Sequence, residues 1–286
     1  MNRNRSIWLL VNFTVYLFLT AAALFVCKHS QNSIDLNTQI AAAMDMEGRT
    51  DLAIAEILET ISLSLYEGAT DRVEKHKQVI EKAAAEKRKA QYFSLIFFFT
   101  AVTWLIIQFF LSHKKADPNR FWRHILLVSI LCLIVGLIAP MMQMTAYKEL
   151  PVLGEVVFKY EAKSIFSTVQ SLALKGSFMI AGLITLFSIF TPLLKMSVVG
   201  MNLFNVAPSL HKKAHNLIHL LGKWSMADVF VVAIMISIFA LDTQDFTRAE
   251  TEIGVYFFIV YCLLSLLVTH AVLKEPDGDN YKNLIS

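Results

Sequence analysis

The stretch YFSLIFFFTAVTWLIIQFFLS, residues 92–112, decides the fold. It contains no charged side chain and is apolar on every face. An α-helix rises 1.5 Å per residue, so about 20 such residues cross the ~30 Å hydrocarbon core of a bilayer. The stretch therefore predicts a transmembrane helix.

Composition and four further apolar runs extend this prediction to the whole chain. Hydrophobic residues make up 56% of the sequence and charged residues 17%, against about 45–50% and about 25% in soluble domains. The four runs are Ile7–Cys27, Ile125–Tyr147, Gly176–Leu194 and Ile253–Leu273. The first run is longer than the core of a signal peptide, which indicates an uncleaved signal anchor.

A sixth run is shorter than a span requires. Between Asp228 and Asp242 only Val229–Leu241 is uncharged, and this run reaches about 20 Å as a helix. A spanning helix here has to include residues 223–226, which draws Asp228 about one turn inside the membrane boundary.

Basic residues near the helix ends predict the orientation. Arg3 and Arg5 flank the first helix, and basic clusters lie within residues 114–123 and 212–223. The opposite side holds the acidic stretch Asp242–Glu252. By the positive-inside rule this pattern predicts six spans with both termini in the cytoplasm.

The segment Lys28–Gln91 is predicted to be a helical extracytoplasmic domain. Residues 73–90 lack Pro and Gly and should run unbroken into the second span. Apolar residues recur at helical spacing earlier in the segment: Ile54, Ile57, Leu58, Ile61 and Leu65.

The second outer loop, Met144–Leu172, is predicted to hold a short β-hairpin. Residues 156–158 and 165–166 are β-prone, and Pro151 and Gly154 precede them. The fold class is thus an all-α polytopic membrane protein with about six transmembrane helices, a helical extracytoplasmic domain and this hairpin. Two units follow: residues 1–120, the anchor, outer domain and return helix, and residues 121–286, a four-helix membrane module with a short cytoplasmic tail.

No pattern of covalent catalysis is present, so the sequence predicts a protein that is not an enzyme and has no cofactor or metal. The three cysteines form no C-x-x-C pair, and there is no G-x-S-x-G, H-E-x-x-H or P-loop motif. The histidines His211, His215 and His219 share a helix face without acidic or cysteine companions, which is typical of surface residues. A net charge of +3 favours no nucleic-acid partner.

Asp228 is the first candidate functional residue, because ionisable groups in membrane spans are costly. A structural interpretation stands beside the functional one. Ser225 and Asp228 have the spacing of a capping box at a helix start, where a carboxylate is stabilised by the helix dipole, and Trp224 would anchor the helix at the interface.

Lys195 is the second candidate. It follows Pro192, which can kink a helix, and Thr191, whose hydroxyl could bond a freed carbonyl. The lysine either snorkels to the headgroups or pairs with Asp228 in a switchable, proton-sensitive site.

The last span carries Thr269 and His270 near its cytoplasmic end. His270 could relay protons, although a histidine at that depth is more often interfacial.

A family resemblance rests on two motifs. GKWSMADVFVVA, residues 222–233, resembles the most distinctive motif of the paraquat-inducible protein A family, G-[RK]-W-S-M-x-D-V-F. IFTPLLK, residues 189–195, is similar to the family's P-x-x-K element, and Thr269 and Pro276–Asp277 resemble its threonine and terminal D-P pattern in altered order. By this resemblance Trp224, Ser225 and Met226 support a site formed by Asp228 and Lys195.

The resemblance covers about residues 121–274, a module of four spans. It implies a bacterial inner-membrane protein that works with a periplasmic MCE-domain protein in lipid trafficking across the cell envelope. Membrane lipids and the MCE-type protein are then the expected partners, and a homo-oligomer stays open. Known members often carry two modules and zinc ribbons, whereas this chain has one module and an added helical hairpin. The alternative is a membrane sensor or scaffold that uses the Lys28–Gln91 domain.

Overall fold

A computed structural model of the protein describes residues 2–43, 68–114, 119–150, 154–204 and 247–274. The predicted sixth span, with Trp224, Ser225, Met226 and Asp228, lies outside these residues, as does the apolar face at 54–65. In the described part, five helical stretches are long and apolar enough to cross a membrane, which confirms the five longer predicted spans. The third ends at Ile138 and not at Tyr147, because the chain from Met142 onward forms a strand.

The first two helices form a long antiparallel pair. Helix α1 (Asn2–Ala43) and helix α2 (Gly68–Lys114) each continue well beyond their apolar stretch. As predicted, residues 73–90 run unbroken into the second span within α2. At one end of the pair Gln108 Nε2 lies 3.3 Å from Asn12 Oδ1, and at the other His29 Nδ1 lies 2.6 Å from Glu86 Oε2.

The remaining helices belong to the module. They are α3 (Asn119–Ile138), α4 (Ile165–Leu174), α5 (Phe178–Ile184), a π-helical turn (Thr185–Phe190), α6 (Thr191–Leu203) and α7 (Ile253–Lys274). The elements from α5 to α6 make one continuous spanning helix. Helix α3 packs against both α6 and α7, so it lies at the centre of the described module.

A three-stranded antiparallel sheet lies at one end of these helices. Its strands are β1 (Met142–Leu150), β2 (Gly154–Lys163) and β3 (Thr247–Thr251), in the order β2-β1-β3. A hairpin in this loop is confirmed, but its strands are β1 and β2, and of the predicted β-prone residues only 156–158 lie in a strand. Strand β3, from the predicted acidic loop, is an addition that the sequence did not predict.

The β-prone interpretation of Ile165–Phe166 is wrong, because both residues begin helix α4. The preceding Ser164 forms a capping box with Ser167: the Ser164 hydroxyl accepts from the Ser167 N–H, and the Ser167 hydroxyl accepts from the Ser164 N–H. These bonds satisfy donors that a helix start leaves open.

Backbone hydrogen bonds fix the sheet to the membrane helices. The N–H of Glu252 donates to the carbonyl of Met141 at 2.9 Å, and that of Gly254 donates to the carbonyl of Pro140 at 2.8 Å. The end of α3 and the start of α7 are therefore held side by side where β1 and β3 meet them.

An ion pair connects the α1–α2 pair to the sheet. Lys87 Nζ of α2 lies 2.8 Å from Glu252 Oε1 and 3.6 Å from Glu250 Oε2. Gln143 of β1 donates to the same Glu250 oxygen, with Nε2 2.6 Å from Oε2. Glu252 is 6% exposed, so its carboxylate depends on Lys87 for compensation.

We expect Lys87→Met to lower the melting temperature of the purified protein by several degrees. The substitution leaves the carboxylate of Glu252 buried without its cation, which costs about 1–3 kcal/mol. Thermal unfolding in detergent measures the shift. Lys89→Met is the matched control, because Lys89 is 54% exposed and bonds only to Glu86 of its own helix among the described residues. Equal melting temperatures for the two variants would contradict the prediction.

Candidate functional site

Lys195 lies inside the helix bundle. Its residue is 2% exposed, on the face of α6 that also buries Pro192, Met196 and Val199. A lysine that snorkels to the headgroups would leave its ammonium outside the protein, so the burial disagrees with that interpretation. A charge in the membrane interior costs about 2.5–3.5 kcal/mol on insertion scales, and such residues are retained where they are used.

The turn before Lys195 widens into a π-helix. A proline at 192 offers no N–H, and its ring would collide with the carbonyl four residues earlier in a regular α-helix. The π-helical turn Thr185–Phe190 changes that spacing, and such turns are frequent at functional sites. The Thr191 N–H and hydroxyl both bond to the carbonyl of Leu186, the hydroxyl at 2.8 Å.

Helices α3 and α6 make close contacts next to the lysine. The hydroxyl of Ser129, which is fully buried, lies 3.7 Å from the sulfur of Met196. One turn further, a Cβ on Gly200 would lie 3.4 Å from Leu126 Cδ2. Helices α3 and α6 are therefore in contact between Met196 and Gly200, on the C-terminal side of Lys195.

Helix α7 supplies further buried hydroxyl groups. Thr269 is 4% exposed, and its hydroxyl donates to the carbonyl of Ser265 at 2.7 Å. Ser265 is itself fully buried. His270, by contrast, is exposed, which does not fit a relay through the bundle.

The antiparallel packing of α3 and α7 sets the depth of these groups. A Cβ on Gly136 would meet the backbone of Phe258 at 3.0 Å, so these two residues lie opposite each other. Seven residues inward along each helix, about 10 Å, come Ser129 and Ser265. Since Ser129 contacts Met196, the neighbouring Lys195 lies at about the same depth.

Part of the predicted site lies buried in the described bundle. Lys195 and Thr269 are both buried, on helices that pack against each other, and Thr191 and Pro192 shape the turn that precedes the lysine. Asp228 and its neighbours Trp224, Ser225 and Met226 lie outside the described residues, so the Lys195–Asp228 pair stays a prediction. Sequence reasoning did not single out the buried hydroxyl-bearing residues Ser129, Ser265 and Tyr261. The available signal was the four-residue spacing of hydroxyl side chains in the last apolar run.

A second polar group joins the α1–α2 pair to the module. The Tyr16 hydroxyl of α1 lies 2.7 Å from Nδ1 of His124 on α3, and their rings stack at 5.9 Å. The indole of Trp104 meets the His124 ring edge-on at 6.1 Å. These contacts fix the α1–α2 pair against α3 within the membrane-spanning region.

The metal-ligating side chains of the described residues are dispersed, and the three cysteines lie on different helices. No group of three or more His, Cys, Asp or Glu side chains there could hold a metal ion. The cysteines Cys27, Cys132 and Cys262 form no disulfide.

A known protein family matches the membrane module. The family model described as Paraquat-inducible protein A matches residues 124–275, which is more than half of the chain and contains Lys195, Asp228 and Thr269. No curated protein and no solved structure is significantly similar to the chain.

Proposed function

The chain belongs to the paraquat-inducible protein A family, and on that basis we propose that it is an inner-membrane component of a lipid trafficking system of the bacterial cell envelope. The protein is a multi-pass membrane protein. The observation that carries the proposal is the burial of Lys195 between apolar spanning helices, at the position where the sequence resembles the family's P-x-x-K element. A charge kept at this cost suits a protein that moves or admits a polar group across the membrane.

The partner in this proposal is a periplasmic MCE-type protein. The two outer segments expected to contact it, around Val152–Ser167 and Asp242–Glu252, contribute β2 and β3 to one sheet. A single partner surface could therefore include both segments. In this proposal the sheet lies on the periplasmic side and both termini lie in the cytoplasm, as the basic residues predict.

Crosslinking in intact spheroplasts tests the partner and the orientation together. Lys159 of β2 has a side chain that is 67% exposed, so Lys159→Cys offers a thiol for a membrane-impermeant crosslinker. We expect an MCE-type protein to be captured from Lys159→Cys and not from Ser197→Cys, whose residue lies on the exposed side of α6. Cells that lack the protein should also lose envelope integrity and be rescued by the wild-type gene.

The sensor or scaffold alternative has one specific observation in its favour. In α2, Lys87 forms an ion pair with Glu252 next to the sheet. A movement of the α1–α2 pair would therefore be transmitted directly to the membrane module. Repeated failure to capture an MCE-type protein, together with an intact envelope in the deletion strain, would overturn the lipid-trafficking proposal and favour this alternative.

A further inference from the structure

A cavity of about 160 Å³ lies where helix α1 passes the sheet. Helix α1, the end of α3 and the junction of β2 with α4 all line it, through residues that include Gln31, Asp35, Ile138, Ala162 and Ser164. The side chains of Ala162 and Ser164 are small, so they leave the space open. An apolar cavity of about 150 Å³ holds benzene, so this one accepts a small chemical group.

Two units of the chain share this cavity. Helix α1 lies outside residues 124–275, which match the family model, whereas Ile138 and the β2–α4 junction lie inside them. The cavity therefore exists only because the α1–α2 pair is added to the module. A ligand held there would give the added pair a role.

The cavity lies at the level of the lipid headgroups. The apolar run of α1 ends at Cys27, and Gln31 and Asp35 follow four and eight residues later, which is about 6 and 12 Å along the helix axis. A bilayer has a hydrocarbon core of about 30 Å and a total thickness of about 40–45 Å, which leaves about 5–8 Å for each headgroup layer. Gln31 thus lies within that layer, and Asp35 lies at its outer border.

Helices α1 and α3 run side by side in the same direction below the cavity. The Tyr16 hydroxyl contacts His124 near the start of both helices. Gln31, 15 residues after Tyr16, and Ile138, 14 residues after His124, then line the same cavity. The two helices therefore stay in register from that contact to the cavity.

Apolar surface continues from the cavity toward the membrane centre. Ile138 is 42% exposed, and Ile134, one turn inward on the same face of α3, is 44% exposed. Leu24 of α1 is 71% exposed and lies seven residues before Gln31, on the same helix face. A lipid whose headgroup occupied the cavity would meet these side chains with its acyl chains.

The face of α1 at the cavity carries one charge of each sign. Lys28, Gln31 and Asp35 are spaced three and four residues apart, so they share that face. All three are exposed, and none has a hydrogen-bond or ion-pair partner among the described residues. Lys163, next to the cavity residue Ala162, is by contrast already paired with Glu161 at 2.8 Å. From the membrane outward, α1 thus presents apolar surface, a free ammonium, an amide and a free carboxylate.

We propose that this cavity binds the headgroup of a phospholipid that carries a primary amine, in the leaflet nearest the sheet. From the membrane centre outward, such a lipid presents acyl chains, a phosphate and an ammonium, which is the order that α1 complements. The phosphate pairs with Lys28 and the ammonium donates to Asp35, both through charge-assisted hydrogen bonds. The inference deepens the proposed function, on which it rests for the fate of the bound lipid.

The charges of the site discriminate between headgroups. A choline headgroup has the same charges as an ethanolamine headgroup but no N–H group to donate to Asp35. A glycerol headgroup has no positive charge, so Asp35 repels its phosphate without gaining a partner. Specificity is a difference between such affinities, so lipids with matched acyl chains can test the site.

Native mass spectrometry of the full-length protein in detergent measures this preference. We expect phosphatidylethanolamine to bind at least about fivefold more tightly than phosphatidylcholine or phosphatidylglycerol with the same chains, because only its ammonium can donate a charge-assisted bond to Asp35. Asp35→Asn should weaken phosphatidylethanolamine binding at least about fivefold and remove the preference. Lys28→Met should weaken ethanolamine and choline lipids alike, because both carry the phosphate.

Glu81→Gln is the matched control for Asp35→Asn. Glu81 is an exposed carboxylate on the outer part of α2 and does not line the cavity. Its loss should leave the affinities for all three lipids at the wild-type values. Thermal unfolding of each variant shows that the fold is retained.

Photocrosslinking in proteoliposomes locates the bound lipid. A phosphatidylethanolamine with a diazirine high on one acyl chain should label Ile134 and Ile138, and Asp35→Asn should reduce this labelling at least about threefold. Met179, which is 90% exposed on α5, reports contact with bulk lipid and should be labelled equally in both proteins. Labelling of Ile138 that falls in step with that of Met179, or not at all, would contradict a specific site.

The binding measurements have clear outcomes. Equal wild-type affinities for the ethanolamine and choline lipids, or a phosphatidylethanolamine affinity unchanged by Asp35→Asn, would overturn the proposal. Tighter binding of phosphatidylglycerol would assign the cavity to an anionic lipid instead and would overturn it as well. None of these measurements involves a protein partner or cell survival. A failure of the proposed function is therefore seen separately, in the crosslinking and complementation experiments.

Discussion

Lys195→Met should abolish complementation of an envelope-integrity defect while the protein accumulates in the membrane at its normal level. Methionine is unbranched and flexible, so it can occupy the buried position of the lysine stem. The change removes the ammonium and little of the packing around Met196 and Val199. Cell survival under detergent stress, measured beside protein abundance, reports the two effects separately.

Lys175→Met is the matched control for this experiment. Lys175 ends α4 and is exposed, so removing its charge should leave complementation unchanged. Full complementation by Lys195→Met at normal abundance would show that the charge is dispensable and would leave the lysine a packing role only.

The partner predicted for Lys195 can be identified by a double mutant. If Asp228 is only a helix cap, Asp228→Asn keeps most of the capping bonds and costs within about 1 kcal/mol. If the two charges act as a pair, each single variant should lose activity and the double variant should be no worse than either. Such non-additivity is the signature of coupled residues.

The spanning helices could be predicted from the sequence because an apolar run of sufficient length has few alternatives in a bilayer. The start of α4 was missed for a local reason. Ile165 and Phe166 favour strands by residue type, and the capping box of Ser164 and Ser167 outweighs that preference. Propensity is a weak guide wherever such a specific local interaction competes with it.

Strand β3 and the burial of Lys195 could not be predicted, because both depend on contacts distant in sequence. Thr247–Thr251 pairs with Met142–Ala146 of β1, more than a hundred residues away. Whether Lys195 snorkels or is buried depends on which face of α6 meets α3 and α7. Periodicity places the lysine on a face but does not show what that face contacts.

Gly254 marks the closest approach between two segments of the module. A Cβ at this position would lie 2.6 Å from the carbonyl oxygen of Ala139 and 2.7 Å from that of Pro140. Both atoms belong to the backbone at the end of α3, so they cannot turn away as a side chain could. The Gly254 N–H also donates to the carbonyl of Pro140 at 2.8 Å.

We therefore expect Gly254→Ala to be strongly destabilising, with low membrane abundance and a melting temperature many degrees below wild type. Overpacking of a side chain costs about 1–3 kcal/mol, and a clash with fixed backbone lies at or above the upper end. Relief of the clash would pull α7 from α3 and break the bond to Pro140, together with the neighbouring bond from Glu252 to Met141 that holds the sheet.

Gly182→Ala in α5 is the matched control: a Cβ there meets nothing within 4 Å, and alanine favours the helix over glycine by up to about 1 kcal/mol. Thermal unfolding in detergent and quantitative immunoblotting measure both variants. If Gly254→Ala melted with Gly182→Ala and accumulated equally, the junction between α3 and α7 would not be the rigid contact that sets the relative depth of Ser129 and Ser265.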